Sequence, residues 1–391
     1  MPEKGKLVQI IGKNQIEVFE QKLPEVKDDG IIMEVGLAGI CGTDLHIIEN
    51  ADRKEFKSEL PITLGHEVAG RIVKMGRKAN EVMLCDSPLK EGDKIVIYVF
   101  LPCNNCWWDK KFGSDHTLIC EDPRPGYFSH SDKWPYFVGG WGEYMYVQPG
   151  TWIWKIPEDM SFEMAVLTEP FSMGIRAVEK ALSLPAWKNM QTMSFGGVVA
   201  VLGSGAIGIL TAIAAKIAGA GKVILSGGPQ RSLQIAKEIG AADEIINIFE
   251  TTPEERIEKV KKLSERGYGA DVVFEAAGVP DAFLEGLEMM RKLGTFVELG
   301  CLIDDGRTVS LNIARQIVQK DIALYGVVSQ PPQEFTKSLK TMQIFKDRFD
   351  FARIITHKFP IENAEEAVSL AKDPHNKGIK TTFTGKAYPE N

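Results

Sequence analysis

The stretch Val198-Val-Ala-Val-Leu-Gly203-Ser-Gly205-Ala-Ile-Gly208 leaves this chain few ways to fold. An apolar run that reads as a buried strand passes into three glycines at G-x-G-x-x-G spacing, then into an alanine- and isoleucine-rich helix former. Gly203 permits the tight turn, Gly205 lets backbone approach a pyrophosphate, and Gly208 lets the helix pack close on the strand. The helix N-terminus, at Ala206 and Ile207, offers free N–H groups and the positive end of the dipole. Glycine spacing alone is a weak signal, because loop glycines usually mark only a turn. Here a second strand, Lys222–Ser226, follows the helix, so the segment reads as a dinucleotide-binding βαβ unit.

The residues after that second strand bear on which dinucleotide is bound. NAD sites usually place Asp or Glu about 20 residues beyond the glycines, where it accepts hydrogen bonds from the ribose hydroxyls. This chain reads Ser226-Gly227-Gly228-Pro229-Gln230-Arg231, with no carboxylate. Glycine at 227 leaves room for a 2′-phosphate, and Arg231 could pair with it. The alternative is that Arg231 simply faces solvent at the start of the next helix. The balance favours NADP over NAD.

A chain of 391 residues exceeds one ordinary hydrophobic core, so two domains are expected. The first portion shows short strands punctuated by glycine and proline: Gly30–Gly36, Gly65–Val73 and Lys94–Phe100. After about Pro170, strands alternate with helix-length segments: Val198–Leu202, Gly208–Ala218, Lys222–Ser226, Arg231–Gly240, Asp271–Glu275 and Thr295–Leu299. That alternation predicts a parallel sheet flanked by helices. The expected division is a β-rich domain over 1–170 and a dinucleotide-binding domain over 171–344.

Three distant segments carry matching metal-ligand chemistry. Cys41-Gly-Thr43-Asp-Leu-His46 offers a thiolate, a hydroxyl and an imidazole; Gly65-His66-Glu67 an imidazole and a carboxylate; Thr168-Glu169-Pro170 a second carboxylate. A catalytic zinc takes three protein ligands of these types and keeps one position open, where it can polarise an alcohol oxygen. Each residue also has a bland role. Cys41 could be a small buried residue, His66 a hydrogen-bonded core histidine, and the two glutamates solvated.

Taken together and in order, these motifs resemble the medium-chain zinc alcohol dehydrogenases, nearest the sorbitol, threonine and glucose dehydrogenase branch. Asp271-Val-Val-Phe-Glu-Ala-Ala-Gly278, Gly294-Thr-Phe-Val-Glu-Leu-Gly300 and Ile354-Ile-Thr-His-Lys-Phe-Pro360 are similar to recurring stretches of that family, so the likeness runs over nearly the whole chain. It implies an α/β architecture: a Rossmann doubly wound parallel sheet joined to a β-rich, GroES-like catalytic domain, the latter completed by 345–391. It also implies that Cys41, His66 and Glu67 surround the catalytic zinc, with Glu169 a direct ligand or bonded through water. Thr43 would accept the alcohol proton and pass it, through the cofactor ribose, toward His46. An imidazole suits that task because it exchanges protons with solvent near neutrality. The alternative for His46 is an exposed loop histidine.

The family's structural zinc normally uses four cysteines at C-x2-C-x2-C-x7-C spacing. This chain has Cys103 and Cys106 in place, Asp109 at the third position, and Cys120 three residues late. Three thiolates plus a carboxylate are acceptable to zinc. His116 could replace Asp109, and a lobe without metal is the competing reading. Tyr127–Val138 looks like an insertion relative to the family. With Trp134, Tyr136, Phe137 and Trp141 nearby, it is expected to border the substrate cleft or pack against another subunit. Cys85 and Cys301 are expected to be structural or incidental thiols.

The expected function is hydride transfer between a secondary alcohol, polyol or sugar hydroxyl and NAD(P) in a zinc-dependent dehydrogenase. Alternatives are a zinc-free quinone or enoyl reductase of the same fold, or a cofactor-binding protein without turnover. A homodimer or homotetramer is expected from the family. The net charge of −7 argues against a nucleic-acid partner. No apolar run is long and unbroken enough to span a bilayer, and the first residues lack a secretory leader pattern, so a cytoplasmic protein with unpaired cysteines is expected.

Overall fold

The computed structural model describes residues 2–53, 60–113, 119–121, 130–183, 195–300, 306–375 and 378–389. The chain opens with an antiparallel hairpin, β1 (Lys4–Gly12) and β2 (Gln15–Lys22). There follow β3 (Ile31–Gly39), helix α1 (Gly42–Glu49), β4 (Val68–Met75), β5 (Lys94–Ile97), β6 (Tyr144–Val147) and β7 (Ile153–Lys155). Helix α2 (Thr168–Leu182) leads into a six-stranded region: β8 (Val198–Leu202), β9 (Lys222–Gly227), β10 (Glu244–Asn247), β11 (Ala270–Glu275), β12 (Met290–Glu298) and β13 (Ala323–Gly326). Its longer helices are α3 (Ala206–Ile217), α4 (Gln230–Glu238), α5 (Pro253–Leu263), α6 (Pro280–Met289) and α7 (Gln333–Phe345). The chain closes with β14 (Ile355–Pro360), α8 (Ala364–Lys372) and β15 (Lys380–Thr384).

Strands β8 to β13 form one parallel sheet in the order β10-β9-β8-β11-β12-β13. Numbered within that region the order is 3-2-1-4-5-6, the doubly wound Rossmann arrangement. Both faces are covered by helices, which is why its strands are continuous runs of Val, Ile, Leu and Ala rather than alternating ones. The order reverses between β8 and β11, and the glycine loop leaves β8 at that switch point.

The second sheet runs β14-β15-β3-β4-β5-β7, with β6 also on β3. The terminal strand β15 pairs antiparallel with β3, so the last stretch of chain returns to the first sheet. The apolar interior does not stop between the two sheets. One buried cluster runs from Leu37, Val96 and Tyr98, through Phe171 and Ala177, to Val199, Val201 and Phe274. Where element limits differ from expectation, local chemistry explains it. Helix α3 starts at Ala206, because extended Gly205 serves as its N-cap.

Candidate metal and dinucleotide site

Three side chains from two separate stretches of the chain meet where β3 ends. Cys41 is the N-cap of α1, and its backbone N–H donates to the Asp44 carboxylate at 2.8 Å, closing a capping box. His66 and Glu67 sit just before β4. Gly65 ahead of them has φ +98°, and a Cβ there would lie 2.8 Å from the Trp141 backbone nitrogen, so only glycine fits. The indole of Trp141 donates to the Gly39 carbonyl at 3.0 Å. The Gly39 N–H donates to the Glu67 carbonyl at 2.8 Å. Any side chain at Gly39 would collide with the Glu67 carboxylate. One donor atom each from Cys41, His66 and Glu67 then lies within 4.8 Å of the others.

The electrostatics suit a cation. Burial opposes a charge on His66, yet Asp44 and the Cys41 thiol hold its pKa well above the usual value; Asp44 Oδ1 stands 3.5 Å from His66 Nδ1. Glu67 is buried and ion-paired with Lys380, the first residue of β15, at 2.6 Å. Lys380 also donates to the Ile40 carbonyl at 3.2 Å. Burial would lower the Lys380 pKa, but Glu67 and Cys41 raise it. Removing either partner would strand a buried charge, at a cost of about 3–5 kcal/mol. Glu169, at the start of α2, is not one of the three clustered residues. It lies close enough to feel His66, Glu67 and Lys380, and burial raises its carboxyl pKa. Its Oε1 accepts a hydrogen bond from Gln330 Nε2 at 2.7 Å.

A thiol, an imidazole and a carboxylate converging in a field that favours positive charge are a donor set that fits zinc. Thr43 Oγ1 lies 3.8 Å from Cys41 Sγ, and exposed His46 follows three residues later on the same face of α1. Asp44, Lys380 and Gln330 are neighbours of the site that the sequence did not reveal. Asp44 lay inside a motif without a role. A buried lysine on a tail strand gives no local signal, since lysine is almost always exposed unless paired.

Cys103, Cys106, Asp109 and Cys120 also converge, with donor atoms within 4.8 Å of one another. The short helix Trp107–Phe112 is capped by Cys106, whose sulfur accepts from the Asp109 N–H at 3.4 Å. The N–H groups of Asn105 and Cys106 point at Cys103 Sγ, at 3.3 and 3.2 Å. Asp109 Oδ2 sits 3.2 Å from Cys103 Sγ and 3.4 Å from Cys120 Sγ. Burial works against a thiolate at Cys106, but backbone N–H groups of Glu121 and Asp109 hold its pKa below the usual value. The late position of Cys120 therefore does not break the cluster. His116 and Cys301 lie outside the described residues. Cys85 lies partly exposed, away from both clusters.

At the glycine loop, Gly203 has φ +108°, and a Cβ there would meet the Ala276 carbonyl carbon at 2.7 Å. A side chain at Gly208 would run into the Gly203 carbonyl, whereas one at Gly205 would meet open space. Gly227 departs from the expectation of mere room for a phosphate. A Cβ there would lie 2.6 Å from the Ser204 N, so β9 and the loop already touch. Arg231 is exposed at the start of α4 and near enough to His357 to lower its pKa, after the larger effect of burial.

The described part of the insertion, from His130, packs against the hairpin and the first sheet, with Ser131 Oγ accepting from Gln9 Nε2 at 2.9 Å. Phe137 joins a small core with Leu7, Leu23, Ile32, Tyr144 and Tyr146, and Trp134 stacks between Lys27 and Tyr146. Trp141 is fully buried against Phe383. Phe137 and Trp141 fill gaps between the hairpin and the sheet, whereas Trp134 stays 44% exposed. Residues 122–129 lie outside the described residues.

A doubly wound Rossmann sheet and a thiol–imidazole–carboxylate cluster in one chain define the class of zinc-dependent, dinucleotide-linked oxidoreductases. Residues 206–343 match the zinc-binding dehydrogenase family, and residues 27–158 match the alcohol dehydrogenase GroES-like domain. The chain belongs to the zinc-dependent medium-chain alcohol and polyol dehydrogenase family. It is 29% identical over 362 residues to a sorbitol dehydrogenase of Bombyx mori, covering 92% of this chain and 93% of that one. In fold it is similar to an alcohol dehydrogenase of Thermotoga maritima, with a TM-score of 0.82, 24% identity, and coverage of 98% and 100% of the two chains. It is also similar to a protein of Sinorhizobium meliloti described as a zinc-binding dehydrogenase bound to NADP, with a TM-score of 0.79, 24% identity and the same coverage. Among the described residues no helix is long and apolar enough to cross a membrane.

Proposed function

We propose that this chain reversibly oxidises a secondary hydroxyl of an alcohol, polyol or sugar, with NADP preferred to NAD as hydride acceptor. The observation that carries the reading is the convergence of Cys41, His66 and Glu67 beside Thr43. Cys41, His66 and Glu67 would hold the zinc, with Glu169 at its open side. When bound, the ion supplies a Lewis acid that makes the substrate hydroxyl easier to deprotonate. Thr43 accepts the hydroxyl proton and relays one toward exposed His46, which exchanges with solvent. The dinucleotide, when bound, would supply the acceptor for the carbinol hydride, so that alcohol and oxidised cofactor give ketone, proton and reduced cofactor. Gly203, Gly205, Ala206, Ile207 and Gly208 cradle the pyrophosphate, and Gly205 has the open space for it. The absence of an acid at Gly227, with Arg231 exposed nearby, supports NADP. The NADP in the Sinorhizobium meliloti protein agrees with that choice. Cys103, Cys106, Asp109 and Cys120 form a closed structural zinc site.

In this reading residues 1–170 with 345–391 make the catalytic domain and 171–344 the cofactor domain. The chain works as a homodimer or homotetramer in the cytoplasm. Edge strand β13, with Leu324 exposed, supports self-association, and the unpaired thiols support a reducing compartment. The test is a metal assay with a screen of alcohols and polyols against both cofactors. Cys41→Ser should lose one zinc and lower kcat/KM by more than the roughly 10–100-fold typical of outer-shell partners, with cofactor affinity unchanged. Full activity without zinc would reject the reading in favour of a metal-independent reductase.

A further inference from the structure

The two carboxylates at the site are tethered differently. Glu67 is held by the charged amine of Lys380 at 2.6 Å. Glu169 is held by the neutral side-chain amide of Gln330 at 2.7 Å. The Lys380 bond joins two opposite charges and the Gln330 bond only one, so Glu169 is the carboxylate whose partner can be exchanged at lower cost. Gln330 lies 2% exposed in the segment joining β13 to α7, on the Rossmann side of the molecule. Its own carbonyl accepts the Tyr98 hydroxyl at 2.9 Å, from the first sheet's side. The residue before it, Ser329, has a left-handed φ of +52° that costs a non-glycine residue energy, and its buried hydroxyl has no partner among the described residues. Both bonds of Gln330 therefore help to hold a strained strap across the two halves.

We propose that Gln330 is a positioning residue that keeps Glu169 outside the coordination shell of the metal, and that loss of this amide lets Glu169 turn onto the ion. The inference rests on the metal-site reading above. While the amide is bonded, it fixes the orientation of the Glu169 carboxylate, and the open position stays available to a substrate oxygen. Without it, the carboxylate loses its hydrogen-bond donor, and a cation shared with Cys41 and His66 is the stronger partner. Gln330 would thus set the number of protein ligands without touching substrate.

The experiment uses the full chain loaded with cobalt(II), read as the visible spectrum at the Cys41 site (the difference from Cys41→Ser) and as the rate of cobalt loss to a chelator. Gln330→Met keeps the volume and removes the donor. It should alter the cobalt spectrum and slow metal loss by about tenfold or more, the scale on which outer-shell partners act on metal affinity and opposite in sign to the loss usual for such residues. Gln330→Asn, which retains a retracted amide, should fall between the two and serves if the methionine variant does not fold. Glu169→Gln in the otherwise unchanged chain should leave the spectrum as it was, and adding it to Gln330→Met should restore that spectrum. An unchanged spectrum and loss rate in both Gln330 variants overturns the proposal, as does a spectral change in Glu169→Gln alone. If the unaltered chain shows no cobalt signal that depends on Cys41, the metal-site reading falls and the proposal with it.

Discussion

Glu275 ends β11 and Glu298 ends β12, directly opposite each other in the parallel register. Both stand at the carboxyl edge of the sheet, on the far side of the switch point from Gly227. Burial first, then the neighbouring Glu298, raises the Glu275 pKa to about 9, so the pair carries a proton at neutral pH. In the unfolded chain that carboxyl titrates near its ordinary value. The folded state therefore holds more protons between the two pKa values. The associated stability is complete at acid pH and is lost as the pH rises through about 9. Glu275→Gln should flatten the fall in melting temperature between about pH 6 and pH 9; an undiminished slope would place the proton elsewhere. Arg231 makes the second case at this scale. Arg231→Glu should weaken NADP binding by about tenfold or more and leave NAD binding nearly unchanged, as charge-assisted phosphate contacts predict. Equal loss for both cofactors would count against a 2′-phosphate role. Arg231 is a better probe than Gly227, because any side chain at Gly227 displaces the phosphate loop itself.

Helices α2 and α3 connect the two halves of the site. Glu169 begins α2, and α3 carries the first N–H groups after the glycine loop. They cross at Gly174, where a Cβ would lie 2.9 Å from the Thr211 nitrogen, a backbone contact that cannot yield. Gly174→Ala should cost about 1–3 kcal/mol through overpacking. It should also lower cofactor affinity, because α3 is pushed from its seat. Alanine gains up to about 1 kcal/mol over glycine in a helix interior, so any net loss reports the clash rather than intrinsic preference. A purely local loss of stability with normal cofactor binding would show that α2 does not position α3. The sequence marked α3 and its glycines plainly, because a strand–glycine–helix pattern is local. The crossing with α2 was not legible, since Gly174 is an ordinary glycine until its neighbour is known.

At the scale of the whole molecule, α7 seals the two halves together. Phe335 packs edge-on against Tyr98 at 5.4 Å and at a shallow tilt against Trp154 at 5.0 Å, and Trp154 Nε1 donates to Thr336 Oγ1 at 2.8 Å. The same neighbourhood carries Gln330 and its bond to Tyr98. Phe335→Ala should cost about 3–5 kcal/mol, as aromatic-to-alanine changes in cores do. It should split a single unfolding transition into two, one for each sheet. A single transition with a small shift would mean that the other shared apolar contacts hold the halves together without it.

Much of this protein is encoded in runs short enough to read directly. The alternation of apolar strands and helices specifies the parallel sheet, and the spacing of glycines specifies the loop at its switch point. The residue types at Cys41, His66, Glu67 and Glu169 announce a metal-binding chemistry. What folding alone decided is which side chains stand next to these. Lys380 reaches Glu67 across more than three hundred residues, and Gln330 reaches Glu169 across more than a hundred and fifty. Trp141 and Phe137 proved to be packing residues for the same reason. A motif is legible when its parts are neighbours along the chain; a buried ion pair or a tether between sheets depends on long-range contacts, and these exist only once the apolar core has closed.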